Sequence, residues 1–223
     1  MKGIHIHVID AKRTAVLCFF GVALLIAMVL WGLLAPDPPM DVQIPAYPQQ
    51  VGGIQVITDL VPEDNLNRTH IQREIRYVVI HETGNPNVGA NAQAHGTYIK
   101  QGAQDRMVSW HYTVDDQIIY HHLPDDEVGW HAGDQLTENG GNLNGIGVEI
   151  CVNQDGDFDQ ALENGAKLTA YLLDTYDLDI SCVKQHYDFS GKNCPATLRN
   201  TGRWDAFLEM VQSYLDSDNE SGR

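Results

Sequence analysis

Positive charge is what this chain has least of. Its 223 residues hold 14 Lys and Arg against 30 Asp and Glu. Three of those cations (Lys2, Lys12, Arg13) and one acid (Asp10) precede residue 36, so the remainder carries 11 basic and 29 acidic residues, a net of −18. Such a body has no positive field to hold phosphates, which excludes nucleic acid as a partner. Cysteine is also scarce: four residues cannot staple a small secreted scaffold. Proline is rare after residue 48, because five of the nine (Pro36, Pro38, Pro39, Pro45, Pro48) fall within PDPPMDVQIPAYP. No internal repeat or low-complexity tract interrupts the rest. Apolar residues are not lacking; at 43% they exclude wholesale disorder, and the length fits one core domain with appendages.

One long apolar run is present. Thr14 to Ala35 are 22 residues without a charge, enough as a helix to cross the roughly 30 Å hydrocarbon core of a bilayer. Lys2, Lys12 and Arg13 precede it and Asp37 and Asp41 follow it, so the positive-inside rule predicts a cytoplasmic tip over 1–13 and everything after Pro36 outside. The run exceeds the usual apolar region of a cleaved signal, and Gly32-Leu33-Leu34-Ala35 is a poor cleavage signature. The expectation is therefore an uncleaved single-pass signal-anchor in the cell membrane, with secretion after signal cleavage as the alternative. The proline-rich stretch, linker 36–52, predicts an extended spacer that holds a domain some ~45 Å from the membrane.

The domain itself is expected over 53–217, with a disordered tail at 218–223. Tyr77 to Ile80 and Ile146 to Val152 are apolar runs suited to strands buried on both faces. Asn91 predicts a cap for a helix from Ala92 to Gln101. Trp110 to Val114 and Gln117 to His122 flank Asp115-Asp116 as a two-residue hairpin. Phe158 to Tyr176 and the set Trp204, Phe207, Leu208, Val211, Leu215 have helical period, and Ile180 to Gln185 is a further strand candidate. Asp155-Gly156-Asp157 predicts a turn capping the helix after it, since the later ligands of a calcium loop are missing. Buried-type strands alternating with helices predict an α/β fold with a central β-sheet flanked by helices.

Ten histidines dominate the chemistry. His81 follows the first strand directly, His186 ends another, and Cys194 comes eight residues later, after a Ser190-Gly191 turn. Two imidazoles and a thiolate from rigid strand ends can hold Zn2+, leaving a fourth position for water. Spacing alone does not separate this trio from His95, His111, His121, His122 and His131. Cys151 and Cys182, on two strands outside the membrane, are open to a disulfide but not required to form one.

The tract HETGN…WHYTVDD…WHAGD…IGVEICVN…HYDFSGKNCP resembles the type-2 N-acetylmuramoyl-L-alanine amidases, which share their fold with peptidoglycan recognition proteins and phage lysozyme-type amidases. The likeness is nearest to autolysin and prophage endolysin amidases of Gram-positive bacteria and covers roughly residues 55 to 215. It implies a mixed central sheet and a zinc hydrolase, a monomer acting on peptidoglycan or muropeptides, that cuts the amide between N-acetylmuramic acid and L-alanine. It further implies His81, His186 and Cys194 as metal ligands, Glu149 as the catalytic carboxylate and Lys192 as a transition-state stabiliser. Trp110 stands where the phage enzymes have Tyr, which moves acid–base work onto Glu149. Trp130, His131 and His111 are expected to contact substrate. The alternative on the same fold is a non-catalytic peptidoglycan-binding module, against which the presence of Cys194 argues.

Overall fold

In the computed structural model, which describes residues 47–221 (side chains through 217), seven strands form one sheet in the order β1-β2-β5-β4-β6-β3-β7. They are β1 (Gln50–Val51), β2 (Ile54–Thr58), β3 (Tyr77–Glu82), β4 (Tyr112–Val114), β5 (Ile118–His121), β6 (Gly145–Ile150) and β7 (Val183–Gln185). The β1–β2 and β4–β5 pairs are antiparallel and the other four are parallel, so the sheet is mixed. The helices are α1 (Ala92–Thr97), α2 (Gly141–Asn144), α3 (Phe158–Thr175), α4 (His186–Ser190), α5 (Ala196–Asn200) and α6 (Trp204–Ser221).

Strand parity decides which residues meet which layer, because successive side chains point to opposite faces. Val78 and Ile80 of β3, Ile146, Val148 and Ile150 of β6, and Tyr112 and Val114 of β4 join one core with α3 and α6. From α3 that core takes Leu162, Leu168, Leu172 and Leu173, and from α6 Phe207 and Val211, as the helical period of both segments predicts. Asp157 caps α3 by accepting the Gln160 N–H at 3.1 Å, so the Asp155-Gly156-Asp157 segment is a cap as expected. Residues of opposite parity face the other way. The register pairs His81 with Glu149 and Glu149 with Thr113, placing the three in one row across β3, β6 and β4.

Several boundaries differ from the sequence expectation. Strand β1 lies within residues 36–52, and α6 runs to Ser221. The Ala92–Gln101 helix is split: α1 ends at Thr97 and a π-helical turn follows over Tyr98–Gly102. Asn91 does cap α1, accepting from Ala94 N–H at 3.0 Å. The hairpin loop is one residue longer than two, because the Asp115 carboxylate accepts both the Gln117 and Ile118 N–H groups at 2.8 Å. Ile180–Cys182 is a 3-10 turn, not strand, since Asp179 accepts the Ser181 N–H at 2.7 Å and satisfies the backbone locally. Cys151 and Cys182 are both free; β6 and β7 lie on opposite sides of β3, so the two cysteines are not on neighbouring strands. The expected anchor, Thr14–Ala35, lies outside the described residues, and among the described residues no helix is long and apolar enough to cross a membrane.

Candidate active site

His81 is the fifth residue of β3 rather than its successor, and His186 opens α4 rather than ending a strand. The turn into α4 is set by a capping box, in which the Asp188 carboxylate accepts the Gln185 N–H at 2.8 Å. Gly191, at φ 73°, caps the C-terminus of α4, a left-handed position that suits glycine, and turns the chain back toward the sheet. The Cys194 N–H donates to the Lys192 carbonyl at 2.7 Å and the Tyr187 N–H to the Cys194 carbonyl at 3.1 Å. The Glu82 carboxylate then accepts the Thr197 and Leu198 N–H groups at 2.8 and 3.0 Å, fixing the first turn of α5 beside β3. Glu82 was not legible as a site-building residue, although an acid following an apolar strand and a histidine was a visible signal.

These contacts bring His81, His186 and Cys194 together. Their ligand atoms all lie within 4.8 Å of one another and all three side chains are buried. His81 Nδ1 is 3.0 Å from His186 Nδ1 and 3.9 Å from Cys194 Sγ. Donors around a tetrahedral zinc are separated by about 3.3–3.6 Å, so the cluster is of the right size. The protons sharpen the fit. The Gly145 carbonyl can only accept, so His131 Nε2, 3.1 Å away, carries a proton and His131 Nδ1 has a lone pair. His81 Nε2, 3.1 Å from that lone pair, is then the donor, and His81 Nδ1 is bare. The Nε2 edge of His186 faces Gly133, and its Nδ1 faces the cluster. Two imidazole nitrogens 3.0 Å apart beside a thiol are a donor set suited to a soft or borderline divalent cation. The residues present fit a divalent metal of zinc type.

Glu149 borders the cluster, with Oε1 4.0 Å from His81 Nδ1 and a side chain 16% exposed. Its Oε2 is buried and has no hydrogen-bond partner. Burial is the main reason its carboxyl is pushed up to about 7; the Lys192 charge opposes this and the Glu82 charge adds to it. Burial likewise holds His81 well below the ordinary imidazole range, lowers His186 to about 4 and raises the Cys194 thiol to about 12. A cation at the cluster would reverse the last of these.

The cluster opens onto a groove of about 520 Å³ lined by Trp110, Trp130, His131, Glu149, His186 and Lys192, among others. A second arm of about 350 Å³, lined by His95, Tyr98 and Asn85, meets it at Trp110 and Glu149. A larger concavity of about 870 Å³ runs along β2 and holds no carboxylate, imidazole or thiol, so chemistry favours the smaller groove. The Trp110 indole N–H donates to Thr113 Oγ1 at 2.7 Å and the ring stacks on Tyr98. Lys192 is exposed at the rim.

Two of the residues expected to contact substrate, His111 and His131, have their ring nitrogens engaged within the protein. His111 is fully buried and does not line the groove. Its Nδ1 accepts the Gly147 N–H at 3.0 Å and its Nε2 donates to the Glu127 carbonyl at 2.8 Å. His131 borders the groove, but both ring nitrogens are taken, by His81 and by Gly145.

The family described as N-acetylmuramoyl-L-alanine amidase matches residues 71–197. N-acetylmuramoyl-L-alanine amidase CwlH of Bacillus subtilis (strain 168) is 39% identical over 160 residues, covering 72% of this chain and 62% of the relative. For amidase XlyA of the same organism the figures are 42% over 154 residues, 69% and 50%. The chain thus spans between half and two thirds of these curated relatives. The solved catalytic domain of XlyA shares the fold at a TM-score of 0.66 and 41% identity, with 71% of this chain and 99% of that domain covered. From its match over most of the sheet and every residue of the buried cluster, the chain belongs to the N-acetylmuramoyl-L-alanine amidase family.

Proposed function

We propose that this protein is a membrane-tethered, zinc-dependent N-acetylmuramoyl-L-alanine amidase that hydrolyses the amide between the lactyl group of N-acetylmuramic acid and the L-alanine of the stem peptide. The observation that carries the reading is the buried convergence of His81, His186 and Cys194 within 4.8 Å, beside an unpartnered Glu149 carboxylate.

His81 and His186 would hold the metal through Nδ1, and Cys194 through its thiolate. Bound there, zinc supplies Lewis acidity, polarising the scissile carbonyl and making water a nucleophile near neutral pH. Glu149 takes a proton from the attacking water; a carboxylate with a pKa near 7 is matched to that task and to returning the proton. As the C–N bond breaks, the same carboxyl delivers the proton to the departing alanine nitrogen. The products are the lactyl carboxylate and a peptide with a free α-amino group. The Lys192 ammonium, on the groove rim, offers positive charge to the developing oxyanion. Trp130 and Trp110 present flat apolar faces along the groove to the muropeptide.

The proposed layout is a cytoplasmic tip, an anchor at Thr14–Ala35 and a proline-rich spacer, with the domain a monomer on the outer side. The reading rests on the sequence of residues 1–48. A net charge of −18 beyond residue 35 weakens adhesion to anionic wall polymers, and tethering compensates by raising local enzyme concentration at the inner wall.

The test is substitution of the ligands. His81→Ala, His186→Ala and Cys194→Ala should each reduce bound zinc well below one per chain and abolish release of L-alanine amino groups from purified peptidoglycan. Full zinc content and turnover in any of the three would refute the ligand set.

A further inference from the structure

We propose that His131 is a positioning residue for the metal centre: its Nδ1 accepts a hydrogen bond from the His81 Nε2–H and thereby presents the His81 Nδ1 lone pair to the ion shared with His186 and Cys194. The inference rests on the zinc reading above, and assigns a role to a residue whose place in the groove suggested substrate contact.

The geometry is a relay with a fixed end. The Gly145 carbonyl accepts from His131 Nε2 at 3.1 Å, and His131 Nδ1 receives His81 Nε2 at 3.1 Å. The Gly145 carbonyl belongs to β6, next to β3 in the sheet, so the orientation of His81 is referred to the sheet itself. The loop carrying His131 is clamped as well. Asn142 Oδ1 accepts both the His131 and the Ala132 N–H groups, at 2.7 and 2.6 Å. Asn142 Nδ2 in turn donates to the Gln135 carbonyl at 2.9 Å.

Room for the ring is provided deliberately by the sequence. A Cβ on Gly147 would lie 2.8 Å from His131 Cγ, and one on Gly129 would lie 3.0 Å from His131 Cδ2. Gly147 shares the face of β6 that carries Glu149, so a side chain there would displace the imidazole from between Gly145 and His81. The His81 and His131 rings meet edge to face at 5.1 Å, and His131 meets His111 likewise at 5.7 Å. The clamped loop therefore holds the hydrogen-bond partner of His81 in place. Partners of this kind fix the tautomer of a ligating histidine, and their loss weakens metal binding by about 10–100-fold.

The experiment compares the full chain with His131→Leu and His131→Asn in zinc competition against a chromophoric chelator. Leu removes the acceptor, whereas Asn places a carbonyl oxygen near the position of Nδ1. The expected result is about a 10–100-fold loss of zinc affinity in His131→Leu and recovery of most of it in His131→Asn. Unchanged affinity in His131→Leu, or an equal loss in both variants, would overturn the proposal. A second measurement stands independently of folding of the variants. In long-range ¹H–¹⁵N spectra of the metal-stripped wild-type chain, His81 should carry its proton on Nε2, and a proton on Nδ1 would overturn the proposal. A wild-type chain that binds no zinc would refute the metal centre itself, and this inference with it; normal wild-type binding with an indifferent His131→Leu would refute this inference alone.

Discussion

Replacing Glu149 by Gln should make the metal-free protein more stable while making the enzyme nearly inert. Burial pushes the Glu149 carboxyl from 4.5 up to about 7, and the side chain is only 16% exposed. Keeping the carboxylate ionised in the fold therefore costs roughly 3 kcal/mol relative to water once the pH exceeds both values, at about 1.4 kcal/mol per pH unit of difference. The folded protein holds this proton more tightly than the unfolded chain. Stability consequently falls as pH rises from 4.5 to about 7, then stays level. Glutamine is neutral and nearly isosteric, so at pH 8 Glu149→Gln should gain roughly 2–3 kcal/mol after desolvation of its own amide. At pH 5 most of that gain should vanish, because the wild-type carboxyl is protonated in the fold. Chemical denaturation of both proteins, metal-stripped, at pH 8 and pH 5 reads the difference directly. With zinc restored, the variant should keep the metal and lose at least about 10²-fold in kcat, the lower range for a general acid–base group. Equal stability differences at the two pH values would show that Glu149 is not a desolvated carboxylate. Near-wild-type turnover would move the proton transfer to another group.

Other consequences are equally direct. Gly147→Ala forces a Cβ to 2.8 Å from the His131 ring; it should cost about 1–3 kcal/mol by overpacking and weaken zinc binding, and a variant with unchanged Tm and affinity would contradict the packing described. Burial holds His122 down at about 3 and His111 well below the imidazole range. Below pH 6.5 the unfolded chain therefore takes up protons that the fold refuses. Each residue should then remove about 1.4 kcal/mol of stability per pH unit down toward its folded value, and a denaturation midpoint that stays flat from pH 7 to 5 would be inconsistent with their burial. For the anchor, protease added to wall-stripped cells should digest the domain and spare residues 1–13, whereas a mature N-terminus near Ala35 or Pro36 would indicate a cleaved signal.

Much of the sheet and its covering helices was legible, because apolar runs such as Val78-Val79-Ile80 and the helical period of 158–175 answer directly to burial. His81 was legible as a histidine next to an apolar run, but its place among ten histidines, and the role of Glu149, came only with the family resemblance. The edge strand Gln50–Val51 was hidden, since two residues after a proline-rich stretch carry no periodicity. Ile180–Cys182 misled because its apolar residues suggest a strand while Asp179 and Ser181 favour a local turn. The hydrogen bonds of His131 and His111 were not legible: their partners, Gly145, Gly147 and Glu127, lie across the sheet or in another loop, and sequence spacing does not report tertiary hydrogen bonds. Glu82 escaped notice similarly, since the helix it caps begins more than a hundred residues later.

The central claim is tested most directly by the products formed from a muramyl peptide of defined structure. Mass spectrometry of the reaction should show two fragments together heavier than the substrate by one water, a free lactyl carboxylate and a peptide beginning with L-alanine. Their formation should cease with chelator and return with added zinc. Cleavage at a glycosidic bond or within the peptide, or formation of the same fragments undiminished in a zinc-free protein, would contradict the account.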